Sequence, residues 1–114
     1  MLRDANDLLH GTLDVLVLKT LSWGPMHGYG IARWIEDRTR DELSIVDAAL
    51  YKALHRLEQE GRIPAEWGLS ENNRRAKYYS ITARAGQMLR SDAATWRRYA
   101  TAVYRVLEAT DGKA

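Results

Sequence analysis

The chain has 114 residues, of which 46% are hydrophobic and 28% are charged, and its 17 Lys and Arg residues exceed its 15 Asp and Glu residues by only two. This length fits one small domain, and the composition argues against a disordered or low-complexity chain. The lack of cysteine excludes disulfides, thiolate nucleophiles and Cys-ligated zinc, and the longest apolar stretch, residues 13–21, is too short to span a membrane. We therefore expect a cytoplasmic protein without a signal peptide.

Apolar residues at helical spacing predict two helices in the first third of the chain. The stripe through Leu13 and Val17 predicts a helix over residues 9–22. After a break that contains Gly24 and Pro25, a second stripe predicts a helix over residues 28–38.

A third helix is predicted over residues 47–60 by a stripe that runs through Leu50 and Leu57. Asp47 is a good N-cap, and Gly61 fits the C′ position that ends a helix. The opposite face of this helix is small, polar and weakly basic. It carries Ala48, Lys52, His55 and Gln59 and is flanked by Tyr51 and Arg56.

Alternating residues then predict a β-hairpin with strands over residues 62–67 and 75–81. Pro64 confines the first strand to a sheet edge, because proline cannot donate to a neighbouring strand. Trp67 belongs to the alternating pattern of the first strand, and we expect Tyr79 and Ile81 to form the inner face of the second.

From residue 82 onward the helical period returns in a stripe whose spacings alternate between three and four residues, as in a coiled-coil seam. No later part of the chain could cover this seam, so we expect it to bind a second copy of the chain. The predicted dimerisation residues are Leu89, Trp96, Ala100, Val103 and Leu107, with Ala93 between them. Trp96 is also the candidate for stacking on a flat, small aromatic effector near a two-fold axis.

The small net charge hides an uneven distribution along the chain. Residues 1–45 and 46–69 carry net charges of −2 and −1, whereas residues 70–90 carry +4 and residues 91–114 carry +1. The basic excess therefore surrounds the hairpin. It comes from Arg74, Arg75, Lys77, Arg84 and Arg90, opposed by Glu71.

A basic hairpin that follows three short helices indicates a winged helix, in which the third helix enters the major groove of DNA and the hairpin crosses a run of phosphates. Side chains on both elements would then contact double-stranded DNA. They are Lys52, His55 and Arg56 on the helix and Arg74, Arg75 and Lys77 on the hairpin. The alternative is that these residues are solvated surface, with the hairpin cations protecting an edge strand from aggregation.

Tyr29 has two interpretations. It belongs to the start of the second helix, where backbone N–H groups could meet a phosphate. Alternatively, Gly28 and Gly30 allow close helix packing, and Tyr29 lies in the core.

Four blocks of the sequence occur in a distinctive order. They are GTLDVLVL (residues 11–18), MHGYGIA (26–32), LY with LHRLE (50–51 and 54–58), and EWG with SENNRRAKYY (66–68 and 70–79). In this order and at this spacing the chain resembles the PadR family of bacterial transcriptional regulators over about residues 8–110.

The resemblance implies a mainly α fold with a small β-hairpin: a winged helix-turn-helix DNA-binding domain over residues 1–81, and one long C-terminal dimerisation helix over residues 82–114. It implies a homodimeric repressor that binds a pseudo-palindromic operator, and it implies that Tyr51 contacts the DNA backbone. Some members of the family are released from DNA by small aromatic or amphipathic molecules.

The third helix departs from the family pattern. Ala48 and Ala49 stand where the family has Gly and a hydroxyl residue, and Lys52 stands where it has Pro. These changes keep an alternative open, in which the chain is a helical protein-interaction module or a ligand-sensing dimer that binds DNA weakly.

An enzyme is not expected. His10, His27 and His55 lie on different elements without metal-ligand spacing, and the glycines at 28 and 30 do not continue into a nucleotide-binding fingerprint. We predict no catalytic residue, no cofactor and no metal site.

Overall fold

The computed structural model describes residues 12–45 and 47–112, which form four helices and three short strands. In chain order these are α1 (Leu13–Leu21), β1 (Met26–His27), α2 (Gly28–Arg38), α3 (Asp47–Gln59), β2 (Ala65–Leu69), β3 (Arg75–Tyr79) and α4 (Ala83–Leu107). The predicted start of the first helix, residues 9–11, lies outside the described residues.

The first three helices bury the apolar stripes that predict them. Leu18 of α1, Ile31 of α2 and Leu54 of α3 are fully buried and pack in one core. Burying an aliphatic side chain of this size contributes about 1.5–3 kcal/mol. Packing of the stripes, more than the intrinsic propensity of helices this short, therefore holds the bundle together.

Local hydrogen bonds fix where α2 begins. The Nδ1 atom of His27 accepts a hydrogen bond from the backbone N–H of Gly30 at 3.0 Å, so His27 caps the helix. This cap satisfies one of the N–H groups that a helix start leaves without a partner. α2 therefore begins at Gly28, as the sequence predicts.

α3 begins at Asp47, the residue at which the sequence predicts its start, and the Asp47 charge suits the positive end of the helix dipole. At the other end, Gly61 adopts a φ of +75°, and the N–H groups of Gly61 and Arg62 donate to the carbonyls of Glu58 and Leu57. This is a Schellman motif, and it confirms the predicted C′ role of Gly61.

The three strands form an antiparallel sheet in the order β1-β3-β2. β1, which the sequence does not predict, pairs Met26 with Tyr79 and His27 with Tyr78. A strand of two residues is too short to show any alternation, so periodicity cannot reveal it.

The two strands of the hairpin differ from the prediction in their bounds. Its first strand is Ala65–Leu69, not residues 62–67, because Pro64 has no N–H to donate and the regular ladder begins only after it. The second strand ends at Tyr79, short of residue 81. We call residues 65–79, which comprise β2, the connecting turn and β3, the wing.

Among the described residues, those that α4 contributes to the core lie at its beginning. Ala85 and Leu89 are buried against α1, whereas residues 101–107 are all exposed. A helix of 25 residues is about 37 Å long. The helix therefore extends as an arm, and the molecule measures 60 Å along its longest axis. None of the described helices is long and apolar enough to cross a membrane.

Candidate nucleic-acid interface

An open groove of about 660 Å³ lies between the start of α2, the first turns of α3 and the wing. Five of the eight predicted DNA-contacting residues line it: Tyr29, Tyr51, Arg74, Arg75 and Lys77. The remaining lining residues include His27, Gly28, Trp67, Ser70, Asn72 and Tyr79. The groove thus combines aromatic rings with the most basic segment of the chain.

Tyr51 takes its position in the groove from Gly28. A Cβ atom on Gly28 would lie 3.1 Å from both Cε1 and the hydroxyl oxygen of Tyr51, closer than ordinary van der Waals contact. The tyrosine ring therefore lies closer to the α2 backbone than it could if residue 28 had a side chain. Tyr51 is nevertheless half exposed and lines the groove.

Tyr29, the residue after Gly28, also lines the groove. Its side chain is 69% exposed, so the alternative that places Tyr29 in the core is wrong. The His27 ring, held by its bond to Gly30, lies 6.4 Å from the Tyr29 ring and 5.3 Å from the Tyr78 ring. His27 therefore connects the start of α2 with the wing.

A tight turn forms the tip of the wing. The N–H of Ser70 donates to the carbonyl of Arg74 at 2.8 Å, and the N–H of Asn73 donates back to the carbonyl of Ser70 at 2.9 Å. Asn73 adopts a φ of +59°, which asparagine tolerates better than most residues. This turn presents Arg74 at the end of the hairpin, and the side chain of Arg74 is exposed.

The face of the sheet that points to the groove carries alternate residues of both strands. Trp67 pairs with Lys77, and Leu69 pairs with Arg75, so these side chains share one face. The Arg75 guanidinium lies 4.5 Å from the centre of the Trp67 ring, a cation–π contact between diagonal neighbours. Trp67 shares this face with Ala65 and the buried Tyr79, but it is 59% exposed because the wing extends beyond the core.

Lys77 lies deeper on the wing and is paired with an acid on α3. Its Nζ donates to Oε1 of Glu58 at 2.8 Å and lies 5.7 Å from the Tyr79 ring. The hydrogen bond to Glu58 raises the pKa of the Lys77 ammonium above its usual value, although partial desolvation opposes the change. Burial raises the pKa of the Tyr79 hydroxyl, and the Lys77 charge offsets part of that rise.

The other three predicted contacts lie on the exposed face of α3, outside the groove lining. Lys52 and His55 point to solvent, as the helical wheel predicts. Arg56 is also exposed, and its guanidinium forms an ion pair with the carboxylate of Asp14 on α1. Among the described residues, no cluster of three or more His, Asp or Glu side chains could hold a metal ion.

Sequence reasoning missed Trp67 and Glu58 as parts of this surface. The only available signal for Trp67 was its place before Gly68 and the hairpin turn, and a period-2 pattern assigns it to the core face. Glu58 is 19 residues away from Lys77, so helix and strand periodicity contain no information on their contact.

An exposed, weakly basic helix beside a basic hairpin, with a groove between them, defines a winged helix-turn-helix protein of the DNA-binding class. The sequence matches the model of the transcriptional regulator PadR-like family over residues 17–91. The chain therefore belongs to the PadR-like family of transcriptional regulators, and the predicted fold class is confirmed.

Solved structures of similar proteins agree with this assignment. A transcriptional regulator from Clostridium thermocellum is 28% identical, with 87% of this chain and 93% of that chain covered and a TM-score of 0.77. A PadR family transcriptional regulator from Eggerthella lenta is 31% identical, with coverages of 92% and 88% and a TM-score of 0.76. An uncharacterised protein of Lysinibacillus sphaericus is 33% identical over 78 residues, which are 68% of this chain and 72% of that protein.

Proposed function

We propose that the protein is a homodimeric repressor that binds a pseudo-palindromic operator through α3 and the wing of each protomer. The observation that carries this proposal is the groove in which Tyr29, Tyr51 and the wing cations meet beside the exposed face of α3. Family membership supports a DNA-binding regulator, as opposed to an enzyme.

In this proposal α3 is the recognition helix and lies in the major groove. Lys52 and His55 face the base edges or the adjoining phosphates, since both side chains offer hydrogen-bond donors of suitable reach. Arg74 and Arg75 on the wing contact a neighbouring run of phosphates, and the Tyr51 hydroxyl donates to the backbone beside the groove. The phosphate contacts position the protein, and the few contacts from α3 select the sequence.

The second copy in the proposed dimer packs on α4. Three seam residues remain exposed, with Trp96 at 43%, Val103 at 37% and Leu107 at 72%, and Ala100 lies between them. Apolar surface of this extent on a protruding helix is typical of a partner interface. A two-fold axis through this seam would present two recognition helices to successive turns of one DNA face.

The test of the proposal is binding to the DNA that flanks the protein's own gene, measured over a range of salt concentrations. We expect a preference over random DNA of the same length and an affinity that falls steeply as salt rises. An affinity that does not respond to salt, or an equal affinity for random DNA, would overturn it.

Trp96 carries the proposal of an effector. Two such rings near the two-fold axis could enclose a flat aromatic molecule. Planar aromatic compounds should then quench tryptophan fluorescence in the wild type but not in Trp96→Leu. Equal quenching in both proteins would remove Trp96 from this role.

The second candidate function is a helical protein-interaction module. The observation that favours it is the width of the exposed apolar surface on α4, where Tyr99 and Tyr104 flank the seam and are 68% and 59% exposed. The mass of the isolated protein in solution separates the two candidates. A stable dimer supports the repressor, whereas a monomer that associates only with a different helical protein supports the module.

A further inference from the structure

We propose that Glu58 and Lys77 form a brace that fixes the wing against the recognition helix, which makes Glu58 a positioning residue for DNA binding. This inference rests on the proposed function. It assigns a role to an acidic residue at a DNA-binding surface, where its charge by itself opposes binding.

The geometry joins the two elements at one point. Glu58 lies in the last turn of α3 and Lys77 in the middle of β3, and their charged atoms are 2.8 Å apart. Both side chains are about one-third exposed, so water screens this pair less than it screens a fully exposed pair. Because the contact spans 19 residues, it constrains tertiary structure and not local structure.

The location of Glu58 is otherwise unfavourable. A carboxylate in the last turn of a helix lies near the negative end of the helix dipole. It also lies close to the segment that carries a net charge of +4, whose cations are the proposed phosphate contacts. Lys77 compensates for both effects, because its ammonium neutralises the carboxylate where the wing meets the helix.

The depth of Lys77 on the wing separates it from the other two cations. Arg74 and Arg75, at the tip, are exposed, whereas Lys77 is half-buried above the buried ring of Tyr79. The Lys77 ammonium therefore pairs with a carboxylate of the protein itself. If the brace holds, the two arginines at the tip keep a constant distance from α3, and helix and wing meet the duplex as one rigid unit.

The substitution Glu58→Gln should change DNA affinity in opposite directions, depending on whether Lys77 braces the wing or contacts a phosphate. If the pair is a brace, its loss should weaken binding to the preferred DNA about three- to tenfold, the coupling expected between residues in contact. If Lys77 is instead a phosphate contact that Glu58 restrains, the same substitution frees a cation and removes an anion, so DNA binding should become tighter.

Glu60→Gln is the matched control. Glu60 directly follows α3 and pairs with Arg62 at 3.3 Å, so this variant removes one negative charge near the same helix end without touching the wing. We expect it to bind DNA as well as the wild type or slightly better. Thermal unfolding of both variants separates a loss of binding from a loss of folded protein.

Two further variants keep the brace testable if Glu58→Gln destabilises the protein. Glu58→Asp keeps the charge but shortens the side chain by one methylene. A brace predicts weaker DNA binding in this variant, whereas simple charge repulsion predicts no change in affinity. The double variant Glu58→Lys with Lys77→Glu should recover at least half of the affinity that Lys77→Glu alone loses, because it restores an ion pair of reversed polarity.

The outcomes distinguish the brace from the function on which it rests. If the wild type itself shows no selective, salt-dependent DNA binding, the proposed function fails. If the wild type binds but Glu58→Gln binds equally or more tightly, or the reversed pair recovers nothing, then only the brace is overturned.

Discussion

Arg74 differs from the other two wing cations in its surroundings. The Arg75 guanidinium stacks on Trp67, and the Lys77 ammonium pairs with Glu58. Within residues 12–45 and 47–112, the Arg74 guanidinium has no ion-pair partner. Its charge is therefore available to a phosphate without the loss of an ion pair to any of these residues.

Replacing Arg74 with alanine should weaken binding to every DNA sequence by a similar factor. The loss of one phosphate contact should lower the slope of log affinity against log salt by about one. Titrations of specific and random DNA at several salt concentrations measure both effects. Arg105→Ala, which removes the same charge near the far end of α4, is the control, and an Arg74→Ala slope equal to that of the control would contradict the prediction.

Gly28 is a second position where one residue affects the groove, because it determines how closely the Tyr51 ring approaches α2. A methyl group in Gly28→Ala would displace the half-exposed ring of Tyr51 by a few tenths of an ångström. We expect DNA affinity to fall a few-fold, with little change in the free energy of unfolding, because the ring can move toward solvent. In Tyr51→Phe, where the hydroxyl contact is already lost, the same methyl should cost less affinity.

Gly86→Ala provides the matched control for Gly28→Ala. Gly86 is within α4, and a Cβ built on it would meet no described residue within 4 Å beyond the adjacent turns of its own helix. Alanine is the better helix former, so this variant should gain about 0.5–1 kcal/mol in the free energy of unfolding and bind DNA unchanged. A loss of DNA affinity in Gly86→Ala as large as in Gly28→Ala would refute the role given to the Tyr51 contact.

At the scale of elements, β3 carries two titratable groups, Lys77 and Tyr79, where the wing meets the core. The pKa of Lys77 is raised by its hydrogen bond to Glu58, and the pKa of Tyr79 is raised by burial. Both groups therefore hold their protons to higher pH in the folded protein than in the unfolded chain. Above about pH 10 the folded state binds more protons, so the free energy of unfolding must fall as pH rises.

Denaturant unfolding between about pH 8 and pH 11 measures this decline. The contribution of both groups is fully present below the ordinary pKa values of about 10 and is lost above them. The decline should be smaller in Tyr79→Phe, which keeps the ring but has no ionisable hydroxyl. It should be smaller again when Lys77→Met is added, and an unchanged decline in this double variant would refute the assignment.

Within the described part of the chain, two ion pairs connect α3 to neighbouring elements, and we expect removal of the acid to have opposite effects on DNA affinity in the two cases. Arg56 and Asp14 are about half exposed, and such pairs contribute only about 0–1 kcal/mol to stability. In Asp14→Asn, the Arg56 guanidinium becomes free on the exposed face of α3. DNA affinity should therefore increase a few-fold, whereas the loss of Glu58 decreases it.

The comparison for Asp14→Asn is Asp37→Asn, because Asp37 pairs with Arg33 within α2 at 3.9 Å. Both variants remove one negative charge, so the difference in their DNA affinities isolates the release of Arg56. If the two variants bind DNA equally, Arg56 is not a DNA contact.

Periodicity predicted the elements with long apolar stripes and failed where structure depends on contacts distant in sequence. The bounds of α2 and the end of α3 follow from local signals, a stripe and a glycine. β1 forms by pairing with β3, which is distant in sequence, and β2 begins directly after Pro64. The basic character of the hairpin could be predicted, because its cations are close together in the sequence.

The internal arrangement of the site could not be predicted in the same way. Arg56 and Asp14 are 42 residues apart, and Gly28 lies 23 positions before Tyr51. Neither contact follows from propensity or charge, since each depends on how the helices cross. The sequence alone therefore locates the exposed cations but does not show which of them are paired with acids inside the protein.

At the scale of the whole molecule, α4 offers an exposed apolar surface to a partner. Residues 101–107 are all exposed, yet they include Val103, Tyr104 and Val106. Exposed apolar residues on an arm of a 60 Å molecule favour association, and the seam of Trp96, Val103 and Leu107 lies on one face of the helix. A second α4 offers a surface of the same pattern.

Val103→Glu should therefore convert the protein to a monomer while each winged helix stays folded, because Val103 is not part of the core. A monomer engages one half-site at a time, so its affinity for a complete operator should fall at least about tenfold. Its affinity for DNA with a single half-site should match that of a wild-type protomer, because α3 and the wing are untouched.

Thr101→Glu places the same charge on the exposed side of α4 away from the seam and should remain dimeric. Mass in solution and titration of full and half operators measure both effects. A dimeric Val103→Glu with unchanged operator affinity would exclude this seam as the interface and direct attention to the flanking tyrosines.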